Sequence, residues 1–329
     1  MPITLQEAKV TMVDPVDQLV IDEFRRGSWL LDQLTFDNAV APATGGSTLV
    51  YGYTKLLTPS GAQTRAINGE YSPSEAKKTR ENAYLQILGG NFKLDRVIIN
   101  TAGSVDELGF QMKQKIKAAS NLFNWLAING DADAGTDAAP QFDGLAKLLE
   151  GSDTVVTATV DVSTSALMDS NYNAFLDEVN EWLAKLEEKP AALLMNSKML
   201  TKMKNIARRA GYYSRGEDAF GRTVDQYDNI PMIDLQEYYD AAAETPGNKL
   251  CVPIEADGTT AIYAICTGLD GFHGVSPQGN KIIDQHLPDL NAPGVLKEGD
   301  VEIVCAVALK NSHKAGCLKG IKVQETESL

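Results

Sequence analysis

Val105, Leu108, Met112, Ile116, Ala119, Phe123 and Leu126 recur at spacings of three and four, which stacks apolar side chains on one face of an α-helix. They predict an amphipathic helix over 105–128, roughly 36 Å long at about 1.5 Å per residue. Ser104 and Glu107 open it as a capping box, the serine oxygen accepting from the third helical amide. Lys113, Gln114, Lys117, Ser120 and Asn124 fall off the stripe, while Leu108, Met112, Ile116 and Phe123 form its expected core face. Asn129-Gly130-Asp131 should end the helix, being residues that tolerate left-handed backbone. Phe142-Asp143-Gly144-Leu145 reopens a shorter helix after a Gly/Ala/Asp loop.

Period-two patterns lie before this helix. TLVYGYTKLLT (48–58) and TRENAYLQILGGNFKLDRVIIN (79–100) are rich in β-formers, and a polar span, SGAQTRAINGEYSPSEAKK, separates them. The pattern predicts a long two-stranded arm with a polar tip. Such a ribbon is marginally stable alone in water, so it needs a surface to lie on. Upstream, Asp14-Pro15 opens a short helix faced by Val16, Leu19, Val20 and Phe24 and ended by Arg25-Arg26-Gly27. That face is too small for a core of its own and must rest on another part of the protein or on another subunit.

Residues 152–295 read as a compact α/β unit. TVVTATVDV is strand-like, and Tyr172, Phe175, Leu176, Val179, Leu183 and Leu186 pattern a helix that Lys189-Pro190 stops. AALLMN is a short buried strand; Ser197 should cap the helix KMLTKMKNIARRAG, with Arg208 and Arg209 in its last turn and Gly211 beyond. GDVEIVCAVALKNSHKAGCLKGIKV adds one or two strands near the end. The fold class is α+β.

Composition narrows the function. In 329 residues, 43% are hydrophobic, no run of 18 apolar residues occurs, and residues 1–30 lack a basic region followed by an apolar core. Neither a membrane span nor a signal peptide is therefore expected. Thirty basic against 44 acidic residues give −14, which argues against the basic stripe of a sequence-independent nucleic-acid binder. Charge is uneven, however. Lys55, Arg65, Lys77, Lys78, Arg80, Lys93 and Arg96 against Glu70, Glu75, Glu81 and Asp95 make the arm 7 − 4 = +3, leaving −17 elsewhere. A basic arm on an acidic body is complementary to another copy of that body; the alternative is a solvated hairpin.

No catalytic, cofactor-binding or metal-ligating set is expected. Gly274-Val275-Ser276-Pro277-Gln278-Gly279-Asn280-Lys281 has phosphate-loop glycine spacing, but asparagine stands where lysine belongs and no Ser/Thr follows. Asp131, Asp133 and Asp137 alternate as in a calcium loop, yet Phe142 occupies the glutamate position. Cys305, His313 and Cys317 fit no zinc spacing, and with Cys251 and Cys266 the cysteines read as buried small side chains.

The long helix followed by NGD and FDGL resembles the spine helix of tailed-phage major capsid proteins of the Hong Kong 97-like fold. AALLMNSKMLTKMKNIARRAGYYSRGEDAFGRTVDQYDNIPMIDL resembles that family's axial domain, and TAIYAICTGLDGFHGVSP the strand and short helix completing it. The resemblance implies an N-terminal arm (1–47), an extended loop (48–100), a peripheral domain with the spine helix (101–151), an axial domain (152–295) and peripheral-domain C-terminal strands (296–329). It implies a non-enzymatic subunit without cofactors that assembles in the host cytoplasm into pentamers and hexamers of an icosahedral virion shell around double-stranded DNA, held without sequence-specific contacts. Arg65, Glu70, Lys77, Lys78 and Arg80 would strap a neighbour. Some members join a loop lysine to a neighbour's asparagine, a role for which Lys77 or Lys78 is placed, while many do without that bond. Many relatives begin with a cleaved scaffold segment, whereas Met1 here leads almost directly into the arm; a separate scaffold protein, or none, is expected, with a portal and room for a decoration protein. Two other readings stay open: an encapsulin-like protein compartment, and a soluble α/β enzyme with a β-hairpin flap.

Overall fold

A computed structural model describes residues 28–41, 49–58, 60–101, 107–136, 139–211, 213–217, 223–241, 243, 245–277 and 282–325. The expected helix over 14–27, the Ser104 cap, Val105, Asp137 and the last four residues of the 274–281 loop lie outside them. In chain order the first elements are α1 (Trp29–Gln33), β1 (Phe36–Asp37), β2 (Val50–Thr58), β3 (Lys77–Tyr84), β4 (Gln86–Asp95), α2 (Arg96–Thr101), α3 (Glu107–Asn129) and α4 (Leu145–Leu148). Then follow β5 (Val155–Thr157), α5 (Ser165–Leu183), β6 (Ala192–Met195), α6 (Ser197–Ala210), β7 (Tyr213–Glu217), β8 (Thr223–Tyr227), β9 (Ile230–Asp234), β10 (Glu237–Asp240) and β11 (Gly247–Leu250). The chain closes with β12 (Thr259–Ile265), β13 (Phe272–Val275), β14 (Ile283–His286), β15 (Leu296–Leu309) and β16 (Ala315–Lys322).

Helix α3 buries the face its spacing predicts. Phe123, Ala127 and Ile128 are fully buried and Met112 nearly so, while Leu108 and Ile116 are partly buried against Phe92, Leu94 and Val301. Those three partners come from β4 and β15, which pair antiparallel over ten positions from Leu296↔Asp95 to Cys305↔Gln86. Burying a large apolar side chain contributes about 1.5–3 kcal/mol, so this contact seats the helix firmly.

The turn after α3 departs from expectation in mechanism. Neither Gly130 nor Gly144 has positive φ; both are there for space. A Cβ on Gly130 would sit 2.3 Å from the Phe142 carbonyl oxygen, and one on Gly144 2.5 Å from that of Leu126. The Gly144 N–H donates to the Gly130 carbonyl at 2.8 Å, locking the two glycines together. NGD and FDGL are thus two halves of one close backbone crossing, which drives Phe142, Leu145 and Leu149 into the core.

A seven-stranded mixed sheet, in the order β5-β16-β12-β6-β9-β8-β7, carries α5 and α6. All four residues of β6 are fully buried, as expected of an apolar run covered on both faces. Phe175, Val179 and Trp182 of α5 meet Met199, Met203 and Ile206 of α6 over Leu193, Met195, Ile262 and Ile321. The α6 cap is Asn196, not the expected Ser197: its side chain accepts from the Met199 N–H at 2.8 Å and donates to Val252 O and Thr260 Oγ1. Gly211 ends the helix at φ +79, as a left-handed C-cap should. Asp228 and Asn229, at φ 47 and 59, make the tight hairpin turn between β8 and β9.

Several expectations need correction. The 79–100 run is not one arm strand: it breaks at Leu85, so that β3 pairs with β2 while β4 turns away to β15. TAIYAICTGLDGFHGVSP holds no short helix after its strand: FHGV is β13, which pairs with β15 and with Phe36 and Asp37 of β1. The boundary at 295/296 is crossed in both directions. β13 and β14 lie beside β15, while β16 enters the seven-stranded sheet between β5 and β12. TVVTATVDV contributes only the three residues of β5, and the helix expected from Tyr172 begins at Ser165, capped by Thr164.

Candidate assembly interface

The arm is the ribbon of β2 and β3, paired from Val50↔Tyr84 outward, with residues 60–76 as its tip. Its root is built by the VYGY alternation, which turns Tyr51 and Tyr53 into the body and leaves Gly52 and Thr54 outside. The two rings stack at 5.9 Å, and Tyr51 meets the His273 imidazole edge-on at 6.0 Å. Tyr51 Oη donates to Asp37 Oδ2 at 2.8 Å, and Lys310 Nζ lies 5.7 Å from the centre of the Tyr51 ring. Burial, then the Asp37 carboxylate, raises the Tyr51 phenol above its ordinary value; burial, then Glu81, pushes Tyr53 up to about 12. Both rings therefore stay neutral and act as an amphipathic anchor.

Beyond the root the tip stands clear of the rest of the described chain. Every residue from 60 to 76 is exposed, Ile67 at 92% and Tyr71 at 62%. The tip is ordered by its own contacts: Ser60 Oγ donates to Ser74 O, and Gly69 N to Ala66 O, with Asn68 left-handed at φ 66. The Arg65 guanidinium lies 5.5 Å from the centre of the Tyr71 ring and donates to Gly69 O. Arg65, Glu70, Lys77, Lys78 and Arg80 are all exposed, and among the described residues none of the five makes an ion pair with the body. Lys93 and Arg96, counted with the arm on sequence, sit instead on β4 and α2; Lys93 pairs with Glu298 at 3.3 Å. The arm proper, 49–85, carries five basic and three acidic residues, 5 − 3 = +2.

Sequence reasoning missed the Tyr51–Asp37–His273 root and the exposed Ile67. The VYGY alternation signalled the former; an isoleucine in the otherwise polar or small run from Ser60 to Glu70 signalled the latter.

Other chemistry is quiet. Lys147 reaches Asp131 at 3.4 Å and Asp133 at 3.3 Å, which fills the acidic turn with a cation. The backbone N–H of Asp133, foremost, with Lys147 holds the Asp131 carboxyl below its ordinary range. Among the described residues no group of three or more His, Cys, Asp or Glu side chains is placed to hold a metal ion, and no helix is long and apolar enough to cross a membrane. All four cysteines are buried, and burial pushes the Cys251 thiol up to about 12 and those of Cys266 and Cys317 up to about 11.

With this geometry in place, comparison with known families decides the assignment. The family model described as SU10 major capsid protein matches residues 29–230, from α1 through the start of β9. The chain belongs to that family. No curated protein matches it in sequence. Solved structures share its fold: the SrpI encapsulin complex of Synechococcus elongatus, with TM-score 0.60 at 13% identity over 92% of this chain and 91% of that one, is similar throughout. So are the capsid of a native GTA particle, at TM-score 0.58 and 15% identity over 94% and 96%, and the capsid of the myovirus XM1, at 0.54 and 12% over 89% and 92%. The capsid protein has the Hong Kong 97-like α+β fold, and its role is to build a virion shell from copies of itself.

Proposed function

We propose that this capsid protein closes as pentamers and hexamers into an icosahedral shell around double-stranded DNA, acting as a non-catalytic building block. The seven-stranded sheet with α5 and α6 is then the axial domain that meets its copies around each capsomer centre. Helix α3 with β4 and β15 is the peripheral domain, and the β2–β3 ribbon is the loop that straps a neighbour through Arg65, Glu70, Lys77, Lys78 and Arg80. The observation that carries this reading is the ribbon itself, anchored by two tyrosines and uncovered from residue 60 to 76. A two-stranded ribbon is marginal in water, and heterologous contacts of one arm on the next body close rings. At −14 net charge the wall does not grip phosphates, which suits a DNA chain that must slide while it packs. Assembly in the host cytoplasm, with a separate scaffold, a portal and a decoration protein as partners, belongs to the same reading.

Sedimentation and negative-stain imaging of the purified chain test it: closed shells with five- and six-fold clusters are expected, and a lone monomer at high concentration would overturn it. The likeness to the SrpI encapsulin favours a second reading, a protein compartment. Nuclease-protected DNA inside shells formed during infection supports the capsid, and a protein cargo there supports the compartment.

A further inference from the structure

We propose that the groove between the first turn of α5 and the outer face of α6 binds a small phosphate-bearing molecule, up to the size of a nucleotide. Ser165 and Met168 line it from α5, and Lys198, Thr201, Lys202 and Asn205 from α6, with Arg209 at its far end. Those four α6 residues recur at spacings of three and four, so they share one face of the helix. The groove encloses about 390 Å³, within the range of about 300–1,000 Å³ usual for small-molecule sites. Two ammoniums, two hydroxyls and an amide supply its donors, and no carboxylate is among the side chains that line it. A donor set of that kind suits an oxyanion with several acceptor oxygens. Met168 and the carbon stems of the lysines give the apolar wall on which an organic body would lie.

Charge singles this groove out. In a chain of net charge −14, α6 carries Lys198, Lys202, Lys204, Arg208 and Arg209 and no acidic residue. Lys204 is balanced by Asp225, and Arg209 by Asp169 at 2.6 Å. Lys198 and Lys202 instead meet neutral oxygens among the described residues: Lys198 Nζ donates to Gln324 Oε1, and Lys202 Nζ to Val162 O at 3.0 Å and to Ser163 O. Burial, foremost, holds the Lys202 ammonium below its ordinary pKa, and the like charge of Lys198 adds to this against the pull of Asp161. Asp161 itself is turned to the Ser163 N–H at 2.8 Å and to Lys322 at 3.8 Å. An anion between the two ammoniums relieves their repulsion and takes up the third donor of Lys202. Two backbone carbonyls already fix that lysine, so little side-chain freedom is lost when the ligand arrives. From Lys198 to Asn205 the face is about 10 Å long, which leaves room beside the phosphate for a sugar-sized body but not for a duplex. The groove belongs to the single chain, so the inference stands or falls apart from shell formation.

The test titrates the full-length protein with a nucleoside monophosphate, inorganic phosphate and a short DNA duplex by calorimetry in phosphate-free buffer. The nucleoside monophosphate is expected to bind once per chain, with inorganic phosphate competing for the same site. Lys198→Gln, at an exposed side chain, should weaken that binding about tenfold or more while leaving the thermal midpoint of the free protein unchanged. Lys202→Gln should weaken it as much; should that variant fail to fold for want of its bonds to Val162 and Ser163, Lys198→Gln alone decides. Absence of nucleoside monophosphate binding, or binding that Lys198→Gln leaves unchanged, overturns the proposal. A duplex that displaces the nucleoside monophosphate at equal phosphate concentration also overturns it, since the groove would then be a contact for DNA.

Discussion

Strands β6 and β3 show two ways of being a strand in one chain. β6, Ala-Leu-Leu-Met, has four fully buried residues with helices and neighbouring strands on every side. β3, Lys-Lys-Thr-Arg-Glu-Asn-Ala-Tyr, has no apolar side chain for its first six positions and is exposed along most of its length. The first is held by the molecule that contains it. The second has one partner strand and a tyrosine root, and the ladder hydrogen bonds it exchanges with that partner contribute only about 1 kcal/mol net each. The contrast teaches that one strand is held in place by the core around it, while the other runs out into a tip that the rest of the described chain leaves exposed.

The sharpest way to break the folded half is Phe123→Ala, which empties a site walled by Phe36 and Phe142. A loss of about 3–5 kcal/mol is expected, read as a lower denaturant midpoint for the subunit. Gly130→Ala comes next: a Cβ 2.3 Å from the Phe142 carbonyl forces the NGD–FDGL crossing apart at a cost of about 1–3 kcal/mol. The same substitution at Gly151, with nothing within 4 Å but φ +73, should cost less, since only backbone strain and no clash is involved.

A smaller, pH-dependent effect tests the junction between the two halves. His273 is fully buried, its Nε2 has no hydrogen-bond partner among the described residues, and burial holds its pKa below the ordinary 6.5. Asp37, Asp270, Lys310 and Tyr51 are the charged or titratable groups around it. In the unfolded chain the imidazole takes up a proton below about 6.5, whereas in the folded one it resists until lower pH. Stability should therefore be intact above 6.5 and decline as pH falls from there, and His273→Phe should flatten that decline in thermal melts. The smallest effect on folding is expected from reversing Arg65, Lys77, Lys78 and Arg80 to glutamate. Subunit stability should move by no more than about 0.5 kcal/mol, while shell yield collapses; unchanged yield would remove these residues from the interface.

Much of the folded half was legible because its signals agree locally. The stripe from Leu108 to Leu126, the AALLMN run and the Arg208-Arg209-Gly211 ending all reappear where their spacing puts them. The errors share one physical cause, which is that pairing partners are chosen by tertiary contacts invisible to periodicity. TRENAYLQILGGNFKLD reads as one strand, yet Leu85 turns inward and β4 leaves for β15, some 200 residues distant in sequence. Nothing local tells β16 to cross into the other sheet, or Asn196 rather than Ser197 to cap a helix, when both residue types make good caps. On the arm the charged side chains were legible as a pattern, but the isoleucine that crowns the tip was hidden within a polar span.

Trypsin accessibility of the arm tip tests the central claim most directly, since Arg65, Lys77 and Lys78 are exposed cleavage sites on a ribbon that the body does not cover. Free subunits should be cut there rapidly, releasing fragments that end at Arg65 and Lys77, while assembled shells should resist cutting at least tenfold longer. Equal cleavage rates in shells and free subunits would contradict the account, because the arm would then remain as bare in the shell as it is on the single chain.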